Sequence, residues 1–543
     1  MAQRLYPALF VGIVFLYCLV YAPFGINETD GGFLSGLAWQ VLCGKTLYQD
    51  IVYVRPPLPV WLRAAELTCL PENWSILGER WIFYGKIALY SWMAADLLAR
   101  RRTAAFRWML AAAGFIVSVH SYPACAWHTV DGILFAVLSV WLYATDANSS
   151  IGQLWRAGLA GIALAATLLC KQSFYPLAIL LPGMLILWNH PEKGKRVAVL
   201  LAGTTLSITL FFSDLYQKGI LGDFWQMTRA SASGAQAFQH GIMDYWRINP
   251  LVAGFTIVLL GTAFWCYKQG KLPYVRLLWN GWLIALLGSY LYQCERQQSF
   301  VAPFAQSRLV FLIAIAWVII RYVDKKTFYK NLHTDAALPL MLLAISWSAS
   351  VSWGYNLPIL FASPWVFAVM DIGQKLWNSQ HTKAFPVTRY AVHLLVLLGV
   401  ARYGYEFVYR DGRRSDMSVS LGTIFPKLSG INSTPEKAAL YRDLSQLRQK
   451  YGQQYVVLPA FPQAQLLTGD CSPLPLDWVV KRETNGDSTL IMKALNQYHP
   501  FVFLEKTNLK NTAADPELEH VRQILDRSTF VEETTFFRVY RYP

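Results

Sequence analysis

The sequence predicts a polytopic α-helical membrane protein with a small soluble α/β domain at its C-terminal end. Of the 543 residues, 55% are hydrophobic and only 15% are charged, whereas soluble proteins carry about 25% charged residues. Apolar runs long enough to cross about 30 Å of hydrocarbon recur from residue 6 to about residue 404. Beyond Tyr405 charged residues become frequent. This change predicts a transmembrane module over 1–404 and a soluble domain over 405–543.

About thirteen transmembrane spans are expected, because about 20 helical residues cross a bilayer. The first span, Tyr6 to Gly25, is similar to a signal peptide, but no small-residue cleavage site follows it. We therefore expect it to be retained as a signal-anchor helix. Several spans are shorter than average, so merging or splitting can change the count by one. The expected spans are 6–25, 80–99, 108–120, 132–145, 157–170, 174–189, 197–213, 250–267, 277–292, 308–322, 336–351, 358–373 and 388–404.

The net charge of +15 has the distribution of a membrane protein rather than that of a nucleic-acid-binding protein. A nucleic-acid site needs one contiguous basic face. When the spans alternate across the bilayer, the basic loops all fall on one side, and the opposite short loops, such as His120 to Asp131 and Trp353 to Pro358, carry almost no basic residues. Cytoplasmic loops are enriched in lysine and arginine, so we expect a cytoplasmic N-terminus and an external C-terminal domain. The basic loops are 100–107, 193–196, 268–276, 321–330 and 375–389.

The region after residue 405 has the pattern of a small α/β domain. Pro435 to Tyr451 is predicted as an amphipathic helix with Thr434 as its N-cap. The other predicted elements are a strand at Tyr455 to Leu458, a helix at Ser488 to Tyr498, a strand at Phe501 to Leu504, and a terminal strand or hairpin at Thr529 to Tyr540.

The first external loop, residues 26–79, is too long for a simple connection and therefore indicates a functional region. Asp30 to Leu42 and Pro57 to Leu70 have the spacing of two amphipathic helices that lie along the membrane interface and cover a cavity. Cys43 and Cys69 fall in this loop. In one interpretation they form a disulfide, and in the other both are small buried hydrophobic residues.

The stretch Glu28-Thr-Asp30-Gly-Gly-Phe follows the first span where its helix leaves the bilayer. Carboxylates at that depth lose hydration, so solubility does not explain them. Arg55 follows within Val54-Arg-Pro-Pro-Leu58, where the prolines favour an extended backbone that projects the guanidinium. A carboxylate base beside a cation is typical of an enzyme with an anionic substrate. The alternatives are an N-cap role for Asp30 and a contact of Arg55 with any anionic headgroup.

Together these motifs resemble the GT-C membrane glycosyltransferases. The resemblance rests on the acidic stretch, on Gly44-Lys-Thr-Leu-Tyr48-Gln-Asp50, and on Arg55-Pro-Pro-Leu58 followed by an aromatic-rich helix. It extends to the topology, and the most similar group is the bacterial aminoarabinose and sugar transferases related to protein O-mannosyltransferases. The resemblance implies an enzyme that moves a sugar from a polyprenyl phosphate to an acceptor on the outer side of the membrane.

The resemblance also implies roles for individual residues. Asp30 matches the last acid of the family's acidic motif, directly before glycine. Thr29 stands where the other acid often lies and Glu28 precedes it, so the assignment of the base to Asp30 or Glu28 stays open. Arg55 matches the basic residue of the family's Lys-Pro-Pro-Leu motif, which faces the lipid phosphate, and arginine keeps the charge while adding a planar fork. Asp131 is the best match to the family's second acidic position.

Further polar residues are candidates for substrate binding. His120, His128 and Asp131 share a predicted external turn and could bind a metal or the acceptor, although the spacing of the histidines is not typical of metal ligands. Capping of two helix ends is the alternative for both histidines. Lys171 lies among apolar residues and either reaches outward or meets an anion. The remaining candidates are Gln172 beside it, Arg296 and Arg308 around the loop 293–307, and Tyr48 and Tyr53, which either stack on sugar faces or belong to the interface belt.

The predicted chemistry is a single displacement. A polyprenyl-phosphate donor already carries a good leaving group, so the enzyme needs a base for the incoming hydroxyl and positive charge for the departing phosphate. One displacement inverts the anomeric centre. No cofactor is expected, since the ligand spacing does not support a divalent metal.

The expected location is a bacterial inner membrane, with the C-terminal domain in the periplasm. The expected partners are the lipid-linked donor, membrane lipids, and a lipid, glycan or protein acceptor, without nucleic acid. One alternative function is a transporter or flippase of lipid-linked sugars, although the sequence has no inverted repeat or paired broken helices. The other is a noncatalytic envelope-assembly protein.

Overall fold

The computed structural model is mostly helical, and its described strands all follow Glu406. The helical part is formed by sixteen described helices, and a small sheet follows near the C-terminal end. The structure describes residues 2–120, 123–145, 149–188, 192–229, 248, 250–297, 307–322, 334–351, 358–378, 386–409, 411–508 and 514–543.

Two short helices, α2 and α3, lie in the long connection that follows α1. The structure confirms both amphipathic helices predicted in the first external loop, as α2 and α3. The bounds are α1 (Ala2–Val20), α2 (Phe33–Leu42), α3 (Leu58–Cys69), α4 (Ser75–Leu98), α5 (Ala104–Val119), α6 (His128–Ala144), α7 (Ser150–Leu168), α8 (Leu177–Leu187), α9 (Lys193–Gln217), α10 (Leu221–Arg229), α11 (Pro250–Lys268), α12 (Leu272–Gln297), α13 (Ser307–Tyr322), α14 (Thr334–Val351), α15 (Ser363–Asn378) and α16 (Pro386–Glu406).

Each expected span overlaps one of these helices. Within the described residues, three helices are long and apolar enough to cross a membrane, namely α7, α9 and α11. Shorter apolar helices occur within α1, α5, α6 and α14, and at Gln172–Leu187, which includes α8. The fold is therefore helical with apolar helices, as expected, while the count of thirteen crossings stays a prediction.

The helical part packs around α4, which lies against α5 and α6. Its buried face includes Tyr90, Ala94 and Ala95, each with no exposed surface. A second close contact joins α7 to α9. A Cβ atom on Gly161 of α7 would lie 2.1 Å from the Leu200 carbonyl oxygen, so a side chain at this position would force the two helices apart.

The C-terminal region confirms the predicted α/β elements closely, and the Thr434 hydroxyl accepts a hydrogen bond from the Lys437 backbone N–H, as expected of an N-cap. The four-stranded sheet has the order β5-β6-β8-β7, with β5 parallel to β6 and the other pairs antiparallel. The bounds after α16 are β1 (Phe407–Val408), β2 (Gly412–Arg413), β3 (Val419–Ser420), β4 (Asn432–Ser433), α17 (Pro435–Tyr451), β5 (Tyr455–Leu458), α18 (Ala464–Thr468), α19 (Thr489–Tyr498), β6 (Phe501–Glu505), α20 (Glu519–Asp526), β7 (Thr529–Glu533) and β8 (Phe537–Arg541).

The loop of residues 26–79 is attached to the C-terminal region by a disulfide between Cys43 and Cys471. The pairing of Cys43 with Cys69 considered from the sequence is therefore wrong, and Cys69 is an exposed free thiol. Backbone hydrogen bonds reinforce the contact, since the Val52 N–H donates to the Pro475 carbonyl at 3.0 Å. The consequence is that the loop with the acidic motif and the C-terminal region form one packed unit.

Candidate active site

The acidic motif lies in a tight turn that leads into α2. Asp30 begins a 3-10 turn (Asp30–Gly32), and its buried carboxylate accepts a hydrogen bond from the Tyr409 hydroxyl at 2.8 Å. The residues that cap this turn and α2 are Thr29 and Gly32, so Asp30 is not an N-cap and that alternative is wrong. The Asn27 side chain holds the turn instead, because its oxygen accepts hydrogen bonds from Thr29 and from the Gly31 N–H.

Glu28 has a different partner from Asp30. Both of its carboxylate oxygens lie 2.6 Å from the Lys437 ammonium group, which is in α17 of the C-terminal region. Burial raises the pKa of the Glu28 carboxyl, and the Lys437 charge offsets part of this rise. Of the two acids, Glu28 is therefore the one held in an ion pair with a lysine.

Arg55 packs against the residue that directly follows the acidic motif. Its guanidinium carbon is 5.2 Å from the ring centre of Phe33, the residue that begins α2 directly after the motif. The two terminal nitrogens of Arg55 donate to the two carboxylate oxygens of Glu483 at 2.6 and 2.8 Å. The buried Tyr48 hydroxyl donates to the Arg55 carbonyl at 2.8 Å, which fixes the backbone of this loop. Arg55 thus projects from a fixed backbone into the interior.

The loop before Arg55 also contacts the segment that contains Lys171 and Gln172. The Gln172 side-chain amide donates to the Val54 carbonyl at 2.7 Å, and the Leu58 N–H donates to the Leu169 carbonyl at 3.2 Å. The Lys171 side chain is buried, and its ammonium group lies 3.3 Å from the Thr129 hydroxyl. Two positively charged side chains from separate loops are therefore brought to one place.

The electrostatics confirm that these cations act on one another. Burial, followed by the nearby Arg55 charge, lowers the pKa of Lys171 well below its usual value, and Glu483 opposes the change. Burial alone would raise the pKa of Glu483, but Arg55, Arg482 and Lys171 outweigh it and hold this pKa below its usual value. Glu483 is therefore a carboxylate that favours the charged forms of both Arg55 and Lys171.

Several buried polar atoms around these cations have no hydrogen-bond partner among the described residues. They are both ring nitrogens of His128 and the hydroxyls of Tyr53 and Ser173. His128 and Tyr53 are close enough to Arg55 for its charge to act on them, and Lys171 acts on His128 as well. Buried polar groups are normally hydrogen-bonded, so these unsatisfied groups are candidates for contact with a polar ligand.

Asp131 lies on α6, one turn beyond His128. Its carboxylate forms an ion pair with Lys86 at 2.7 Å, and Lys86 also contacts Glu66 at 2.7 Å. Asp131 is thus a buried acid held by a lysine, and its catalytic role stays a prediction. His120 ends α5 and bonds to the Tyr17 hydroxyl at 2.9 Å, whereas His128 begins α6.

The polar turn therefore does not form a single cluster. The described residues contain no group of three metal-ligating side chains, so the metal site considered from the sequence has no support there. Arg296 is exposed at the end of α12, and Arg308 is buried near the start of α13. Residues 298–306 between them lie outside the described residues, and a role for either arginine stays a prediction.

Sequence reasoning missed the partners that the C-terminal region contributes. Tyr409, Lys437 and Glu483 lie 379, 409 and 428 positions from the residues that they contact. No local pattern connects positions so far apart. Lys481-Arg482-Glu483 has the composition of an ordinary solvated turn, and nothing in it indicates that the glutamate is buried against Arg55.

Comparisons with known proteins find similarity to solved structures. No family model and no curated protein matches it. ArnT from Cupriavidus metallidurans, solved with undecaprenyl phosphate, is similar at 13% identity, over 99% of this chain and 98% of that chain, with a TM-score of 0.42. The archaeal oligosaccharyltransferase AglB from Archaeoglobus fulgidus, solved with an inhibitory peptide and a dolichol-phosphate, is similar at 12% identity, over 99% and 74%, with a TM-score of 0.46.

These matches belong to the GT-C class that the sequence resembles. Their identities and TM-scores are low, however, and they carry no assignment of residues or substrate to this chain. An assignment of function must therefore be argued from the site itself.

Proposed function

We propose that this protein is an integral-membrane glycosyltransferase that moves a sugar from a polyprenyl-phosphate-linked donor to an envelope acceptor on the outer face of the membrane. The observation that carries the proposal is the position of a buried acidic motif beside a buried pair of cations. Phe33 joins the two, since it follows Asp30 in the chain and lies under Arg55. A base and an anion site next to each other are what this transfer requires.

In this proposal Arg55 and Lys171 hold the donor phosphate. A guanidinium binds a phosphate through two parallel hydrogen bonds, and the ammonium group adds a second charge from the neighbouring loop. The unsatisfied groups of His128, Tyr53 and Ser173 supply further polar contacts for the phosphate or the sugar. Because the site is buried, these charges act in a low dielectric, where they stabilise negative charge that develops on the leaving phosphate.

Asp30 is the proposed base. Its carboxylate accepts a hydrogen bond from the Tyr409 hydroxyl, and an acceptor hydroxyl can donate the same kind of hydrogen bond to it. Glu28 is less suited to this role, because accepting a proton would break its ion pair with Lys437.

The proposed reaction is one displacement. The acceptor oxygen bonds to the anomeric carbon and its proton passes to Asp30. The bond between that carbon and the phosphate oxygen breaks, and its electron pair leaves with the lipid phosphate. This single displacement inverts the anomeric centre.

We place the site on the outer side of a bacterial inner membrane, with the N-terminus in the cytoplasm. Two observations support this orientation. The basic loops predict it, and the disulfide between Cys43 and Cys471 is typical of an oxidising compartment. Both cysteines belong to segments that the proposal places outside. The acceptor can be a lipid, a glycan or a protein.

The test compares variants in a deletion strain, with mass spectrometry of envelope lipids and glycans as the measurement. The glycan that disappears on deletion identifies the sugar and acceptor. We expect the Asp30→Asn variant to restore this glycan at a rate about 100-fold or more below that of wild type, which is the usual effect of losing a general base. Glu28→Gln is the matched control and should have a milder effect at equal expression.

Three results would contradict the proposal or part of it. Full restoration by Asp30→Asn would exclude Asp30 as the base, and abolition by Glu28→Gln alone would invert the assignment of the two acids. A deletion strain with an unchanged envelope would contradict the transferase function as a whole. A transporter or scaffold would be indifferent to Asp30→Asn when the protein stays folded.

A further inference from the structure

The Glu483 carboxylate binds the edge of the Arg55 guanidinium that a phosphate would bind. Its carboxylate forms two parallel hydrogen bonds with both terminal nitrogens of the guanidinium, at 2.6 and 2.8 Å. This is also the geometry in which arginine binds a phosphate. Only one anion can accept both of these hydrogen bonds at a time, so Glu483 and a bound phosphate compete for this edge of the guanidinium.

The charges explain why a carboxylate is needed when no phosphate is bound. Arg55 and Lys171 are both largely buried, and each disfavours the charge of the other. Glu483 is itself buried, with 6% of its side chain exposed, and it stabilises both cations. Removal of this carboxylate would leave the buried positive charge less compensated, which is costly.

The turn that carries Glu483 is anchored on both sides. At the surface, Lys481 pairs with Glu519 and the Arg482 N–H donates to the Glu517 carboxylate. On the inner side, the Thr484 hydroxyl bonds to the His520 ring at 2.9 Å and the Asn485 amide donates to the Met227 carbonyl at 2.6 Å. Because the backbone of the turn is anchored, a rotation of the Glu483 side chain releases Arg55 without moving the sheet.

We propose that Glu483 is a surrogate for the phosphate: it occupies Arg55 when the lipid is absent, is displaced when the lipid phosphate binds, and returns to expel the product. The inference rests on the proposed function for the identity of the lipid. In this role Glu483 weakens phosphate binding, because its carboxylate competes with the phosphate for Arg55. A residue that merely orients Arg55 would strengthen phosphate binding instead, so the two roles predict opposite signs.

The test is the affinity of the purified full-length protein for polyprenyl phosphate and for inorganic phosphate, each measured with wild type and Glu483→Gln. A charged hydrogen bond is worth about 1.5–3 kcal/mol, so removal of the competing charge should tighten binding by about tenfold or more. The product should also inhibit the variant more strongly. Glu519→Gln removes the same charge from the neighbouring surface pair and should leave the affinity unchanged.

Unchanged or weaker binding by Glu483→Gln would overturn the surrogate role. If polyprenyl phosphate bound wild type and Glu483→Gln equally, this inference would fail while the proposed function stood. If inorganic phosphate bound more tightly to the variant while polyprenyl phosphate bound neither protein, the surrogate role would stand and the proposed donor would be wrong.

A second measurement keeps Glu483 native. A spin label at Lys481→Cys, in a Cys69→Ser background that removes the exposed thiol, reports the environment of the turn. We expect polyprenyl phosphate, and not uncharged polyprenol, to change its spectrum. An unchanged spectrum at saturating polyprenyl phosphate would also overturn the proposal.

Discussion

Arg55 and Arg63 belong to the same loop and are both paired with a glutamate, yet their surroundings differ. Arg63 is 1% exposed, and its partners all come from nearby helices or their ends. It bonds to Glu79 at 2.5 Å, to the Ser35 hydroxyl at 2.9 Å and to the Ser75 carbonyl at 3.2 Å. Arg55 instead reaches a glutamate 428 positions away.

The difference separates a structural ion pair from a ligand site. Around Arg63 the charged groups form a closed network, because Glu79 also accepts hydrogen bonds from Ser35 and from the Ala126 N–H, and the Ser75 hydroxyl is a neutral group there without a partner among the described residues. Around Arg55 lie a second cation and the unsatisfied groups of His128 and Tyr53. A closed network stabilises one conformation, whereas an open one has capacity for a ligand.

The largest expected effect is on stability, at Arg63. Arg63→Ala leaves the Glu79 carboxylate buried without its cation, and loss of one partner of a buried pair costs about 3–5 kcal/mol. We therefore expect a marked loss of thermal stability in detergent, measured as a fall in Tm. Arg55→Ala is the matched control, since Glu483 can rotate toward solvent, and its Tm should change less. Equal losses in the two variants would contradict the distinction.

A smaller effect is expected in the pH dependence of phosphate binding. The pKa of Lys171 is lowered in the free site, and a bound phosphate should raise it, so binding takes up a proton. Affinity for polyprenyl phosphate should therefore fall as pH rises from the lowered pKa of Lys171 toward the ordinary lysine value of about 10.4. The fall is at most about tenfold per pH unit for one proton. The measurement is a titration between about pH 8 and 10.

Lys171→Gln is the control for this pH dependence. It cannot take up the proton, so its affinity should be weaker and nearly constant over the same range. An equal slope in wild type and Lys171→Gln would show that Lys171 is not the group that binds the proton.

The sequence predicted local structure well. Helical spacing located α2 and α3, and the Thr434 cap with a periodic apolar face located α17, because these signals depend on neighbouring residues. The apolar runs located the helices of the membrane module for the same reason. The number of membrane crossings is harder to predict from the sequence. Several helices are shorter than a full span, and length alone does not decide how deeply a helix enters the membrane.

The site was predictable only where its residues lie in local motifs. Asp30, Glu28 and Arg55 stand out in the sequence, and the structure brings Lys171 beside Arg55. The partners Tyr409, Lys437 and Glu483 depend on how the C-terminal region packs on the first loop. The pairing of Cys43 with Cys69 that the sequence suggested is wrong for the same reason, because the actual partner, Cys471, lies 428 positions away. Contacts at such separations are set by tertiary packing.

The most direct test of the account is a titration of purified protein with polyprenyl phosphate in a background of anionic lipid. If Arg55 is a phosphate ligand, wild type binds this lipid in preference to uncharged polyprenol, Arg55→Ala binds about tenfold or more weakly, and Arg55→Lys retains part of the affinity. A contact with bulk headgroups would be worth only about 1 kcal/mol and would not distinguish the donor lipid. Unchanged affinity in Arg55→Ala would contradict the account and leave Arg55 as a membrane anchor.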